Sequence, residues 1–252
     1  MKSSASRWDS KPSMDIDLHI HTNRYSGCSN IDPAKLLKKA RAVGLDGIAL
    51  TEHGIRWSDD QIEQLRRASG VRDLLIIPGQ EVACYWRHGR FQGEFLVFGY
   101  PKSLGSSRSA EEVIELVHAE GGVVVAAHPF KKFRHGDEGY YGAGKQLYDF
   151  KVDGLEAEHP DYDDEARAQA AEAMAAMHIA GTGASDSHAL HTVGICRTVF
   201  ERPVNGVAGL CEEIRSGRLK ALNLMNGRAV QARPSGPDAP SCETRAAAPS
   251  LL

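Results

Sequence analysis

The sequence predicts an α/β fold built on a parallel sheet or a closed barrel, for three reasons. Short apolar runs alternate with segments of helical periodicity along most of the chain. Histidines and carboxylates stand at or just past the C-terminal ends of those runs, which in a barrel share the face where active sites are built. The length, 252 residues, suits one α/β barrel as a single unit.

Composition narrows the partners. The chain is 42% hydrophobic and 25% charged with a formal net charge of −3, as in an ordinary soluble globular protein. That balance gives no basic footprint for tight binding of duplex nucleic acid, and leaves a small phosphorylated substrate or a short single-stranded end as the expected partner. The five cysteines, Cys28, Cys84, Cys196, Cys211 and Cys242, form no Cys-x-x-Cys pair, so neither a disulfide framework nor a structural zinc knot is expected. No apolar segment approaches the length of a bilayer span, no membrane partner is indicated, and the expected location is the cytoplasm. Oligomeric state is not legible.

In order along the chain, residues 1–14 read as a flexible leader without periodicity. A first strand, Ile16 to Ile20, carries His19 and His21 two residues apart, so both imidazoles leave one face. After a loop, Asp32 is a candidate N-cap and Pro33 opens a helix with Leu36, Leu37, Ala40 and Val43 on one face, stopped by Gly44. Gly47 to Thr51 is a strand ending at Glu52-His53-Gly54, and a helix follows around Asp59 to Ala68. Leu74 to Ile77 is a strand ending at Pro78-Gly79-Gln80-Glu81, and Phe95 to Phe98 is a strand paired with Glu81 to Tyr85. Ala110 to Glu120 is helical, and Val123 to Ala127 is a strand ending at His128-Pro129.

Lys131 to Gly144 is polar and glycine-rich and reads as a surface loop over the site. Val152 to Ala157 is a strand ending at Glu158-His159-Pro160, Asp163 to Met177 an alanine-rich helix, and Ile179 to Ala184 a strand ending at Ser185-Asp186-Ser187-His188. Arg197 to Phe200 is expected as the final strand and Gly206 to Ser216 as the final helix. From Arg228 to Leu252, Pro, Ala and Ser dominate and disorder is expected.

His19, His21, His53, Glu81, His128, His159, Asp186 and His188 are the candidate ligands. Imidazole and carboxylate without thiolate suit Zn²⁺, Mn²⁺ or Fe²⁺, and a carboxylate can bridge two ions about 3.5–4 Å apart. So many ligands exceed one tetrahedral ion, and two or three divalent ions are expected. Such a centre generates hydroxide at neutral pH and neutralises the attacking and leaving oxygens of a displacement at phosphorus. Lys131, Lys132 and Arg134 after His128, and Arg197 further on, are candidates for the non-bridging phosphate oxygens, although each also reads as a solvated surface charge.

Five motifs in this order carry a resemblance: Asp17-Leu18-His19-Ile20-His21-Thr22, Thr51-Glu52-His53-Gly54, Gly79-Gln80-Glu81, Ala127-His128-Pro129 and Ser185-Asp186-Ser187-His188. Together they resemble the PHP (polymerase and histidinol phosphatase) superfamily over about Asp15 to Phe200. The resemblance implies a distorted (β/α)7 TIM-like barrel, placed at residues 15–227, and a metal-dependent phosphoesterase. It implies one ion held by His19, His21, Glu81 and Asp186, a second reached by Glu81 as bridge and held by His128 and His159, and a third served by His53 and His188. Glu81, His53 and His188 are thereby the catalytic candidates, and either histidine would protonate the leaving oxygen where it is not committed to metal. The chain departs from the pattern at Ser26, where many members have an acidic residue, and at Glu52, where the usual motif has Asp. A complete third site would then need Glu52 or Asp161 as substitute.

The expected activity is hydrolysis of a phosphate ester by a metal-bound hydroxide, at a nucleotide or at the 5′ end of a short oligonucleotide in the manner of a 5′→3′ exonuclease. A histidinol-phosphate-type phosphatase is the alternative. An amidohydrolase would want a lone Asp on the last strand and a bridging Lys, where this chain has Glu81 and the Asp186/His188 pair. From another class, Ser26 leaves open a catalytically degenerate metal-binding PHP domain.

Overall fold

The computed structural model describes residues 13–133, 139–225 and 228–231. Its strands form one sheet, within which β1 (Met14–Asp17), β2 (Gly47–Leu50), β3 (Leu75–Tyr85), β4 (Phe91–Phe98), β5 (Val123–Ala126), β6 (Gly154–Glu158) and β7 (Ala180–Gly183) follow one another in chain order. β1, β2 and β3 pair in parallel, as do β5, β6 and β7, while β4 runs antiparallel to both its neighbours. This is a distorted α/β barrel with one reversed strand in its wall.

The wall nearly closes where the chain leaves β1 and β7. The His21 amide donates to the Ser187 carbonyl (3.0 Å) and the Ser187 amide to the His19 carbonyl (3.2 Å). β8 (Cys196–Phe200) pairs antiparallel with the lower half of β1, and β9 (Leu219–Asn223) and β10 (Arg228–Gln231) extend that meander. Thr198 stitches β8 to β7, its hydroxyl donating to the Gly183 carbonyl (2.9 Å) and accepting from the Gly183 amide (3.1 Å).

Local chemistry explains where the helices start and stop. α1 (Pro33–Ala42) is capped by the Asp32 carboxylate, which accepts from the Lys35 amide (2.8 Å), with Pro33 in the first turn. α2 (Asp59–Ser69) and α3 (Ala110–Ala119) open with reciprocal capping boxes, Ser58 with Gln61 and Ser109 with Glu112. α4 (Asp164–Met177) is capped by Asp163, and α5 (Val207–Ser216) ends at Gly217 in the left-handed region.

Strand alternation divides the core. Ala49, Ile77, Leu96, Phe98 and Val125 share one buried cluster with Leu210 and Ile214 of α5, while Ile48, Leu50 and Ile76 turn outward to α1 and α2. On the same inward parity as Ile77 lies Glu81, further along β3, so the apolar stack leads up to the centre.

Several expectations need correction. β3 does not stop at Ile77: it runs on to Tyr85, so Glu81 lies inside a long strand, held by pairing with β4. Arg197 to Phe200 is not the final strand, because β9 and β10 follow, and Arg228–Gln231 is paired with β9 where disorder was expected. Residues 1–12 of the proposed leader and 232–252 of the proposed tail lie outside the described residues. Gly144–Asp149 forms a 3-10 helix after the expected surface loop. Arg197 is not a phosphate ligand. It is buried, its guanidinium donating to the carbonyls of Gly194 and Val43 and pairing with Asp15 (3.3 Å), which leaves it nothing to offer a substrate.

Asp17 joins the two ends of the wall. Fully buried, it accepts from the Ser185 amide (3.0 Å), the Ser185 hydroxyl (2.5 Å) and the Gly194 amide (2.8 Å). Burial pushes its carboxyl up to about 6 in spite of these bonds, so it is still the ionised acceptor at neutral pH. Asp17→Ala should strand those donors at a cost of about 2–3 kcal/mol. In a thermal melt the midpoint should fall by roughly 5–10 °C, and an unchanged midpoint would show that closure does not depend on this carboxylate.

Candidate metal centre

The centre is assembled by strand ends. His19 and His21 follow β1, His53 follows β2, Glu81 comes from β3, His128 follows β5, and Asp186 and His188 follow β7. His128 and Asp186 have φ of 27° and 47°, a left-handed backbone that costs a non-glycine residue on the order of 1–3 kcal/mol. Both lie two or three residues past a strand end, where the turn brings their side chains to the shared mouth.

Hydrogen bonds from outside the centre fix which nitrogen each ring presents. His19 Nδ1 donates to Glu156 Oε1 (2.9 Å). Ser26 donates its hydroxyl proton to Glu52 Oε2 (2.5 Å), so its oxygen accepts from His21 Nδ1 (3.3 Å). His188 Nδ1 donates to the Asp186 carbonyl (2.9 Å). In each ring Nε2 is left for the centre, the arrangement that orients metal-ligating histidines.

His19 Nε2 and His21 Nε2 then lie 2.9 Å apart. The raised pKa of His19 leaves it a proton that its Nε2 donates to His21; a cation that displaces this proton would meet both lone pairs at about the separation of adjacent ligands with metal–nitrogen bonds of about 2.0–2.1 Å. Glu81 reaches His19 (3.2 Å), His21 (3.4 Å), His53 (2.9 Å) and His128 (3.2 Å), and Asp186 approaches His19 (3.6 Å) and His21 (3.5 Å). His128 Nδ1 is buried without a hydrogen-bond partner. Among the described residues four groupings bring three ligand atoms within reach of one ion: His19, His21 and Glu81; His19, His128 and Asp186; His21, His53 and His188; and His53, Glu81 and Glu94. Those that share a histidine are alternatives. The donor set suits divalent ions.

Electrostatics are consistent with that density of charge. Burial works against ionised Glu81, yet His19, His128 and His53 hold its carboxyl well below the usual range. Burial likewise disfavours charge on His19, but Glu81, Glu156 and Asp186 keep its pKa well above the ordinary value. The bond to Glu81 raises the half-exposed His53 to about 9.

Among the sequence candidates, His19, His21, His53, Glu81, His128, Asp186 and His188 come together. His159 does not fit as an Nε2 ligand. The Asp161 amide donates to its Nδ1 (3.0 Å), so the neutral ring carries its proton on Nε2, aimed at Asp186 Oδ2 (3.4 Å). Burial lowers its pKa, keeping it neutral. Glu52 does not substitute in a third site, since its oxygens are taken by Thr22, Ser26 and the Trp57 indole. Lys131 is at the centre, its ammonium 3.0 Å from Asp186 and 3.2 Å from Asp161. Lys132 turns away from the centre to Asp163 (3.0 Å) and Glu165 (2.6 Å) at the start of α4. Arg134 lies outside the described residues.

Two carboxylates were missed. Glu94 of β4 faces the centre, 3.6 Å from His128 Nε2 and grouped with His53 and Glu81; burial and the charge of Glu81 push its carboxyl up to about 7. Such a group can carry or release a proton at neutral pH. Glu156 of β6 braces both His19 and the His128 amide (2.6 Å). For Glu94 the available signal is a lone charge at the head of the apolar run Phe95-Leu96-Val97-Phe98; Glu156, between Asp153 and Glu158, carries no such mark. A cleft of about 340 Å³, within the usual range of ligand sites of about 300–1,000 Å³, opens over Lys131, His159, Asp186 and His188.

The PHP domain family model matches residues 17–191, and the chain belongs to that family. A second model, PHP-associated, matches residues 164–219. An uncharacterized protein of Methanocaldococcus jannaschii is 29% identical over 153 residues, 57% of this chain and 80% of its own length. Among solved structures, a two-domain protein from Bacteroides vulgatus containing a predicted PHP-like metal-dependent phosphoesterase aligns over 87% of this chain and 67% of that one, with a TM-score of 0.64 and 16% identity. The lesion-specific endonuclease PfuEndoQ of Pyrococcus furiosus aligns over 83% of this chain and 57% of that one, with a TM-score of 0.55 and 20% identity. At such identities the likeness is one of fold.

Two measurements test the centre. Glu81→Ala should retain the far-ultraviolet circular dichroism of the barrel while losing most metal in elemental analysis; full metal content would remove Glu81 from the ligand set. The pKa of His19, held well above the ordinary value, leaves a proton on that ring in the apoprotein, and ligation displaces it. Affinity for Mn²⁺ should therefore weaken as pH falls from about 8 to about 6, about tenfold per unit for each proton displaced. Calorimetry should show matching proton release, and pH-independent affinity would exclude this ring as a ligand.

Proposed function

We propose that the protein is a metal-dependent phosphoesterase acting on a nucleotide or on the 5′ end of a short oligonucleotide. The observation that supports it most is the pair of ring nitrogens of His19 and His21, 2.9 Å apart beside Glu81, with the ammonium of Lys131 on the same mouth. Divalent ions bound by His19, His21, Glu81, His128, Asp186, His53 and His188 would supply Lewis acidity and activate water for attack at phosphorus. Family membership and the phosphoesterase among the structural neighbours point the same way. The fold is also used by a lesion-specific endonuclease, which favours a nucleic-acid fragment over histidinol phosphate.

The chain's own groups supply the remaining work. Lys131 stays protonated: burial opposes its charge, but Asp186 and Asp161 outweigh it. Its head would bind a non-bridging phosphoryl oxygen. His159, a buried and neutral ring with its proton on Nε2, would donate a hydrogen bond to the same group without giving the proton up. Ser26 acts as a positioning residue for His21, so its replacement of an acidic residue gives no reason to read the domain as degenerate.

The test is phosphate release by the Mn²⁺-loaded protein from para-nitrophenyl phosphate, histidinol phosphate, adenosine 3′,5′-bisphosphate and a 5′-phosphorylated trinucleotide. Turnover should be greatest on one of the two nucleotide substrates. Lys131→Ala should lower kcat/KM about a hundredfold without loss of metal. Bound metal with no release from any substrate would favour a degenerate metal-binding domain, and preference for histidinol phosphate would replace the nucleotide assignment.

A further inference from the structure

Beside the centre the chain builds a short antiparallel arch with an aromatic outer surface. The Tyr141 amide donates to the Lys131 carbonyl (2.8 Å), the Phe133 amide to the Gly139 carbonyl (3.2 Å), and Lys132 bridges Tyr140. Phe133 and Tyr141, one on each leg, have ring centroids 4.9 Å apart and planes 89° apart. They remain 37% and 39% exposed.

The two described legs, residues 131–133 and 139–142, are held in place. A Cβ on Gly142 would meet the His128 carbonyl at 2.6 Å and Pro129 Cα at 2.5 Å, so this leg lies directly on the turn that carries a metal-ligand candidate. Gly139, at φ +140°, brings backbone so close under Phe133 that a Cβ there would fall 2.6 Å from its ring. On the far side the two ion pairs of Lys132 tie the arch to the head of α4.

Lys131 links the rings to the chemistry. Its Nζ lies 3.0 Å from Asp186 Oδ2 and 5.7 Å from the Tyr141 ring centroid. A phosphate held by this ammonium therefore has an exposed aromatic pair within reach of the rest of its own molecule.

We propose that Phe133 and Tyr141 form the platform on which the base of a nucleotide substrate stacks while its phosphate is held at Lys131 and the metal centre. The proposal rests on the phosphoesterase function above and names how that site recognises the non-phosphate part. Perpendicular rings offer a face and an edge together, so a flat heterocycle stacks on one ring while the other walls its rim. Stacking tolerates every base, since each presents a π face. The platform selects base-bearing esters over bare sugar phosphates without choosing among bases. Continuity with Lys131 favours a substrate over a protein partner for these rings.

The probes are phosphonate analogues of AMP, UMP, ribose 5-phosphate and histidinol phosphate, whose C–P bond does not hydrolyse, titrated calorimetrically into the Mn²⁺-loaded full chain. The AMP and UMP analogues should both bind about tenfold or more tightly than the ribose analogue. Tyr141→Ala and Phe133→Ala should each weaken the AMP analogue at least about fivefold more than the ribose analogue, and Tyr141→Phe should keep the preference, which separates lost stacking from lost folding. Equal affinity for the AMP and ribose analogues in the wild type, or equal weakening of both in Tyr141→Ala, would overturn the platform. So would tighter binding of the histidinol analogue than of the AMP analogue. Because no probe turns over, a base preference without phosphate release from any ester would fail the phosphoesterase function and leave the platform standing. Release without a base preference would do the reverse, and no binding of any probe would remove the platform.

Discussion

Closure of the barrel between its first and seventh strands is the constraint on which the rest of this structure depends. The bridge between Ile20 and Ser187 is flanked on one segment by His19 and His21 and on the other by Asp186 and His188. A slip of one residue there would turn the histidines to the opposite face, because side chains alternate along extended backbone. Asp17 below the bridge, with the Ser185 and Gly194 donors converging on it, sets that register from inside the wall. Ligands more than a hundred and fifty residues apart in sequence meet because of it.

Hydrogen-bond acceptors around the candidate ligands decide what each ring presents to the centre. Glu156, Ser26 and the Asp186 carbonyl hold the Nδ1 protons of His19, His21 and His188. The two departures from the family motif, Ser26 and Glu52, are in contact: the serine hydroxyl donates to the glutamate. Negative charge beside His21 is kept, supplied from the neighbouring strand end and passed through a hydroxyl. The pair thus belongs to the support of His21 and to neither metal directly.

Basic residues show how far composition misleads about a phosphate site. Four were adjacent in sequence to motifs or strands, and spacing alone could not separate them. Lys131 reaches the centre, Lys132 points across the arch to α4, and Arg197 is sealed under the barrel by backbone carbonyls. Long side chains swing through several ångströms, so a one-residue difference in position decides between the site and a surface ion pair.

The sequence by itself determined the fold class, the family motifs and most helix limits, and named eight ligand candidates of which seven come together, because caps, apolar runs and strand-end histidines are local signals. Asp32 with Pro33, the Ser58 and Ser109 boxes and the His-x-His pair are legible without tertiary contacts. The pairing of β4 with β3 was legible as a hairpin, whereas tertiary structure alone decided its antiparallel pairing with β5 and the two strands after the helix α5, whose partners are not written in a strand's own residues. Tertiary structure also decided the roles of Glu94, Glu156 and His159. A carboxylate in an apolar strand becomes a site residue only when its face turns inward, and a histidine becomes a donor or a ligand according to which nitrogen a distant backbone amide has already claimed.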